Sequence, residues 1–127
     1  MNEVLVDTSV WVDHFRRSNE SLAELLSLYM AITHPMIVTE LACGTPPAPR
    51  ARTLADIATL PHSRQASLRE VRELVEREHL FGLGCGLVDL TLLASTMLTP
   101  GARLSTLDQR LRILAERFEI AYLPTKH

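Results

Sequence analysis

The sequence predicts an α/β protein built on a parallel sheet, and three observations carry that prediction. Short apolar runs alternate with segments of helical periodicity along nearly the whole chain. No strand candidate is joined to the next by a tight hairpin turn, which leaves parallel pairing through helical crossovers. The first apolar run, Val4-Leu5-Val6, ends on Asp7, followed by Thr8, Ser9 and a helical pattern. That layout brings a carboxylate to the edge of the sheet where ligands gather in open parallel folds.

Taken in order, the strand at 4–6 leads into a helix carrying Val10, Trp11 and Phe15 on its apolar side, with Thr8 or Ser9 expected as its cap. Ser21 and Glu24 have capping-box spacing for a second helix ending near 28–30. Residues 30–33 read as a second strand. Pro35 suits the first position of a third helix, and Gly44 its stop. Three prolines within 46–49 enforce a loop. A helix follows over 50–60, then another to about Glu78 behind the box Ser67…Glu70. The run 82–86, Gly-Leu-Gly-Cys-Gly, lacks the strand before it and the spacing of a nucleotide-binding loop, so it reads as a connector giving close backbone approach. The apolar helix 87–98 should be largely buried. A strand at 102–105, a helix opened by Asp108 and an edge strand at 120–123 complete the chain. Four strands are visible, and a sheet of four to five is expected.

A length of 127 residues points to one domain, 1–127. At 46% hydrophobic and 22% charged, the composition is that of an ordinary globular protein. No apolar run suits a membrane span and no export signal is visible, so a cytoplasmic protein without membrane contact is expected. Two cysteines, Cys43 and Cys85, form no metal motif and are expected to be small buried residues. The five histidines are scattered, which argues against zinc. The formal charge of −2 is not that of a simple nucleic-acid binder. Twelve arginines stand against a single lysine, Lys126. Arginine suits bidentate phosphate contacts, but a general bias toward arginine gives the same count.

The acids carry the functional argument. Asp7 and Asp108 close strands and so fall at one end of a parallel sheet. Glu40 shares a helix face with Ile37 and Leu41, and Asp89 sits inside the most apolar helix. Each has an ordinary explanation: Glu40 reaching water, Asp89 favoured by a helix dipole after Gly86, Asp108 as a plain N-cap. Together they are less ordinary, because clustered carboxylates raise one another's pKa and acids are rarely buried unpartnered. A hard divalent cation, Mg²⁺ or Mn²⁺, removes that conflict. Several carboxylates, such a metal and no Ser-His or Cys-His pair suit phosphodiester hydrolysis by metal-activated water. Thr8, Ser9 and Thr106 are placed to hold metal-bound water or a phosphate oxygen.

Four pieces in order, VLVDTSVWVDHF, THPMIVTELACG, GLGCGLVDLTLLAS and LSTLDQRL, span nearly the whole chain. They resemble the PIN-domain nucleases, specifically the VapC-type toxins of prokaryotic toxin–antitoxin pairs. The resemblance implies a three-layer α/β/α sandwich, Mg²⁺- or Mn²⁺-dependent endoribonuclease activity, a small antitoxin partner and a homodimer. Carried over, its acidic set is Asp7, Glu40, Asp89 and Asp108, with Asp7 and Asp89 as direct metal ligands and the other two completing the cluster. Thr106 matches the hydroxyl residue the family places two before its last acid. Ser105 stands where the family often has Trp, and Asp13 reads as a surface acid. A receiver domain is disfavoured because Thr8 follows Asp7 and the only lysine is Lys126. An aspartate-nucleophile phosphatase is disfavoured because Ser9 stands where it needs a second Asp. The remaining alternative is a catalytically weak PIN-like module that binds nucleic acid or a partner protein.

Overall fold

β1 (Val4–Val6) is the middle strand of the sheet, and all three of its residues are buried. Flanked on both sides and covered on both faces, such a strand has no use for alternation, which is why it reads as an unbroken apolar run. The computed structural model describes residues 2–124, and Lys126 and His127 lie outside them. β2 (Ala31–Ile32) and β3 (Arg103–Ser105) pair with β1 in parallel, with Val4 opposite Ala31 and Arg103, and Val6 opposite Ser105.

The sheet has three strands among the described residues, not the four to five expected. The segment 120–123 contributes one parallel bridge, Leu104 with Ala121, through Leu104 N–H to Ile120 O at 2.7 Å and Tyr122 N–H to Leu104 O at 2.9 Å. On the opposite edge Thr33 bridges His62 in the same way. Ile120 N–H is taken by Ala115 O at the end of the last helix, so too little chain is left extended there to make a ladder.

The helices are α1 (Thr8–Arg17), α2 (Glu20–Ser27), α3 (Pro35–Cys43), α4 (Arg50–Ala58), α5 (Leu68–Glu78), α6 (Leu87–Leu98) and α7 (Gln109–Arg117). α1 packs on α2 and α3, and α3 on α4; α5 packs on α6, and α6 on α7 and β3. Two helical groups about one parallel sheet make the α/β/α arrangement the motifs implied. None of these helices is long and apolar enough to cross a membrane.

Several boundaries follow the sequence. Pro35 opens α3, Gly44 closes it, and Ser67 with Glu70 forms a complete capping box on α5. All seven residues from Leu90 to Thr96 of α6 are buried. Two caps differ from expectation. α2 is capped by Asn19, whose side chain accepts from Leu22 N–H at 2.9 Å, two residues before the expected Ser21 box. α1 has Asp7 at its N-cap position with no side-chain cap bond, so neither Thr8 nor Ser9 caps it. Their hydroxyls go to carboxylates instead, and hydrogen bonds to an ionised acceptor are about twice as strong as neutral ones. The cysteines also differ: Cys43 is exposed and Cys85 half-buried.

Candidate active site

Asp7 leaves the buried end of β1 and is itself only 5% exposed. Its N–H donates to Ser105 O at 2.9 Å, the last rung before the strands part. Its Oδ2 accepts two hydroxyls at 2.7 Å, from Ser9 on α1 and from Thr106 at the end of β3. Ser9 Oγ in turn accepts from Leu107 N–H, and Thr106 Oγ1 from Asp108 N–H, both at 3.0 Å. Two strand ends are thus tied through one carboxylate. Burying that group costs less because its acceptor capacity is used. Oδ1 is left to face other partners.

Glu40 and Thr8 form a second pair. Thr8 Oγ1 donates to Glu40 Oε1 at 2.6 Å, fixing α1 to α3 on the exposed side. Both line a cleft of about 440 Å³ with Val12, Phe15, Arg16 and Pro46. Glu40 therefore does reach water, as its ordinary explanation held, and is also bonded toward Asp7's neighbour.

Asp89 occupies the first turn of α6, half-buried, after a cap at Gly86. Its pKa is raised, first by burial and then by the charges of Asp7 and Asp108, with Glu40 adding a smaller push; a backbone hydrogen bond with Gly86 works the other way. Asp7 from β1, Glu40 from α3 and Asp108 from the β3–α7 junction thus all lie within electrostatic reach of Asp89 on α6. Asp108 also caps α7, its Oδ1 accepting from Leu111 N–H at 3.0 Å. The plain N-cap explanation and membership of the cluster hold together for this residue. Asp13 lies apart, held by Arg17 at 2.6 Å and Asn19 at 2.9 Å.

Among the described residues, no three His, Cys, Asp or Glu side chains stand at ligand spacing. The donor set still suits a hard cation. It is all oxygen, and Asp89 is penalised by like charge with no ion pair of its own among the described residues. Mg²⁺ commonly takes one or two carboxylates and keeps its waters, so it needs no three-sided protein cage. Gly84 and Arg110, neither of them among the expected site residues, meet at the edge of this cluster, beside Cys85. Only the glycine spacing hinted at a close approach, and it did not say of what.

A parallel sheet with carboxylates gathered at its strand ends and helices on both sides is the arrangement of a PIN-like nuclease. No family model matches the chain. It is, however, 43% identical over 109 residues to Ribonuclease VapC32 of Mycobacterium tuberculosis, in both strain CDC 1551 and strain H37Rv, covering 86% of this chain and 87% of that protein. The chain belongs to the VapC family of PIN-type ribonucleases.

Proposed function

We propose that this protein is the toxin of a type II toxin–antitoxin pair, an endoribonuclease that uses Mg²⁺ or Mn²⁺. The observation that carries the reading is the raised pKa of Asp89, pressed by burial and by Asp7, Asp108 and Glu40. A site that crowds carboxylates and pairs none of Asp7, Glu40, Asp89 and Asp108 with a cation among the described residues is suited to receive one from outside. Identity to a ribonuclease across most of both chains supports RNA as the substrate.

In this reading Asp7 and Asp89 would hold the metal, with Glu40 and Asp108 completing the cluster directly or through water. A metal bound there supplies Lewis acidity to the phosphate and lowers the pKa of an attacking water. The chain's own contribution is position. Ser9 and Thr106 fix the Asp7 carboxylate, and hydrogen bonds to a ligating group orient it and tune its basicity. Thr8 aims Glu40 into the cleft, where Glu40 is free to take a proton from water. The partners in this reading are RNA, a small antitoxin that reaches the acids with an Arg or Lys side chain, and a second copy of the chain in a homodimer. Its compartment is the cytoplasm.

The test is cleavage of structured RNA by purified protein, free of antitoxin and of contaminating nuclease, with Mg²⁺ or Mn²⁺. Cutting by the native chain and none by Asp7→Asn, with circular dichroism unchanged, supports the reading. If the native chain cuts no RNA with either metal, the protein is a binding module and this reading fails.

A further inference from the structure

The reading above leaves the glycine run 82–86 unused. Gly84 has φ +87°, and a Cβ added to it falls 2.7 Å from Arg110 Nη1, 2.8 Å from Arg110 Cδ and 3.0 Å from Arg110 Cζ. The arginine side chain therefore passes close over the bare backbone of Gly84, and a side chain at that position would force it to shift. Gly84 serves twice, since φ there is also unfavourable for an L side chain.

The position of this contact matters more than the contact. Arg110 lies two residues past Asp108, in the first turn of α7. The loop under it runs through Cys85 and Gly86 directly into the turn that carries Asp89. The Cys85 thiol feels burial first, then Asp89 and Asp108 pushing its pKa up, and Arg110 pulling it down. Those charges thus surround one place. Yet Arg110 makes no ion pair among the described residues. A guanidinium parked at the rim of an acid cluster, and bonded to none of its members, is left for an anion that enters from outside.

We propose that Arg110, seated on Gly84, grips an RNA phosphate next to the one that is cleaved. The guanidinium fork matches a phosphate in two parallel hydrogen bonds. Its seat fixes the fork before the strand arrives, so less side-chain freedom is lost on binding. Loop 82–86 and the start of α7 then bound the acid cluster on the side of Asp89 and Asp108. The inference rests on the ribonuclease reading for its substrate, but its test does not depend on cleavage.

The experiment is binding of a fluorescein-labelled single-stranded RNA oligonucleotide, followed by anisotropy at several salt concentrations. Arg110→Ala should weaken binding roughly fivefold, as expected for one partly solvated charge contact. The slope of log affinity against log salt should fall by about 0.7, the value for one single-strand phosphate. Arg110→Lys should restore most of the slope, having kept the charge. Gly84→Ala should behave like Arg110→Ala, whereas Gly82→Ala should not. Gly82 has φ +72° with open space around it, so it carries similar backbone strain without touching the arginine. The inference is overturned if Arg110→Ala loses no more affinity than Arg69→Ala on the solvent side of α5. It is equally overturned if the two glycine variants weaken binding alike. A chain that binds RNA through Arg110 and never cuts it would sink the nuclease reading and leave the clamp standing.

Discussion

Thr106 donates its hydroxyl to Asp7 Oδ2 at 2.7 Å across 99 residues of chain, joining the end of β3 to the end of β1. The same oxygen of Thr106 accepts from Asp108 N–H at 3.0 Å, so one hydroxyl positions two of the four acids. Thr106→Val keeps the shape and removes both bonds. We expect it to cost about 1–3 kcal/mol, because a buried acceptor and a backbone donor lose a partner. Metal affinity should fall ~10–100-fold, as when other groups that hydrogen-bond a ligand are removed. Urea unfolding and isothermal calorimetry with Mn²⁺ measure the two effects, and Thr106→Ser should recover most of both.

Removal of metal gives a separate prediction. If Asp7 and Asp89 hold a cation only in the folded chain, Mg²⁺ at a hundred times its Kd should add ~2.7 kcal/mol of stability. Chelation with EDTA should return the melting curve to that of metal-free protein and stop RNA cleavage. Asp7→Asn should melt at one temperature with or without Mg²⁺. A metal-induced shift that survives in this variant would place the cation elsewhere.

The Thr8–Glu40 pair tests whether the second wall of the cleft acts in catalysis. Glu40 is exposed, so Thr8→Val should change stability by no more than about 0.5 kcal/mol. With Glu40 released, the RNA cleavage rate should drop by up to about a hundredfold, the lower end of general acid–base contributions. An unaltered rate would make this contact structural only.

His34 supplies a pH dependence remote from the acids. It caps α3, with Nδ1 accepting Met36 N–H at 3.0 Å, and its Nε2 is buried without a partner. Its pKa is lowered from 6.5, by burial first and by His62 second. The unfolded chain therefore takes up this proton at a higher pH than the folded one. Stability contributed by neutral His34 is full above about pH 6.5 and declines as pH falls below it, by at most ~1.4 kcal/mol per pH unit. Protonation of Nδ1 would also remove the cap. Comparing thermal melts at pH 7.5 and 5.5 for the native chain and for His34→Asn checks this. The variant keeps a capping oxygen and should lose that part of the pH dependence.

Much of the architecture was legible because its signals are local. Pro35 before an apolar stripe, the Ser67–Glu70 box and the apolar run 87–98 each occupy a few turns of chain, and each formed the element expected. The caps of α1 and α2 differ because two residues with capping side chains stand near each start and contacts elsewhere choose between their uses. At α2, Asn19 also reaches Asp13. At α1, Thr8 and Ser9 found carboxylates. The fourth strand shrank to a bridge at Ala121 because strand length depends on a partner's register, which the residues of 120–123 do not encode.

The sequence by itself determined which residues are acids, which elements carry them and that the strand ends would bring Asp7 and Asp108 to one edge. Local periodicity and capping chemistry suffice for that, since both act within a few residues. Only the tertiary structure decided how near Asp89 comes to Asp7 and Asp108, which hydroxyls hold Asp7 Oδ2, and that Arg110 lies on Gly84. Those relationships join groups far apart in the chain, and their energies depend on distance and burial, quantities that exist only once the helices have packed on the sheet.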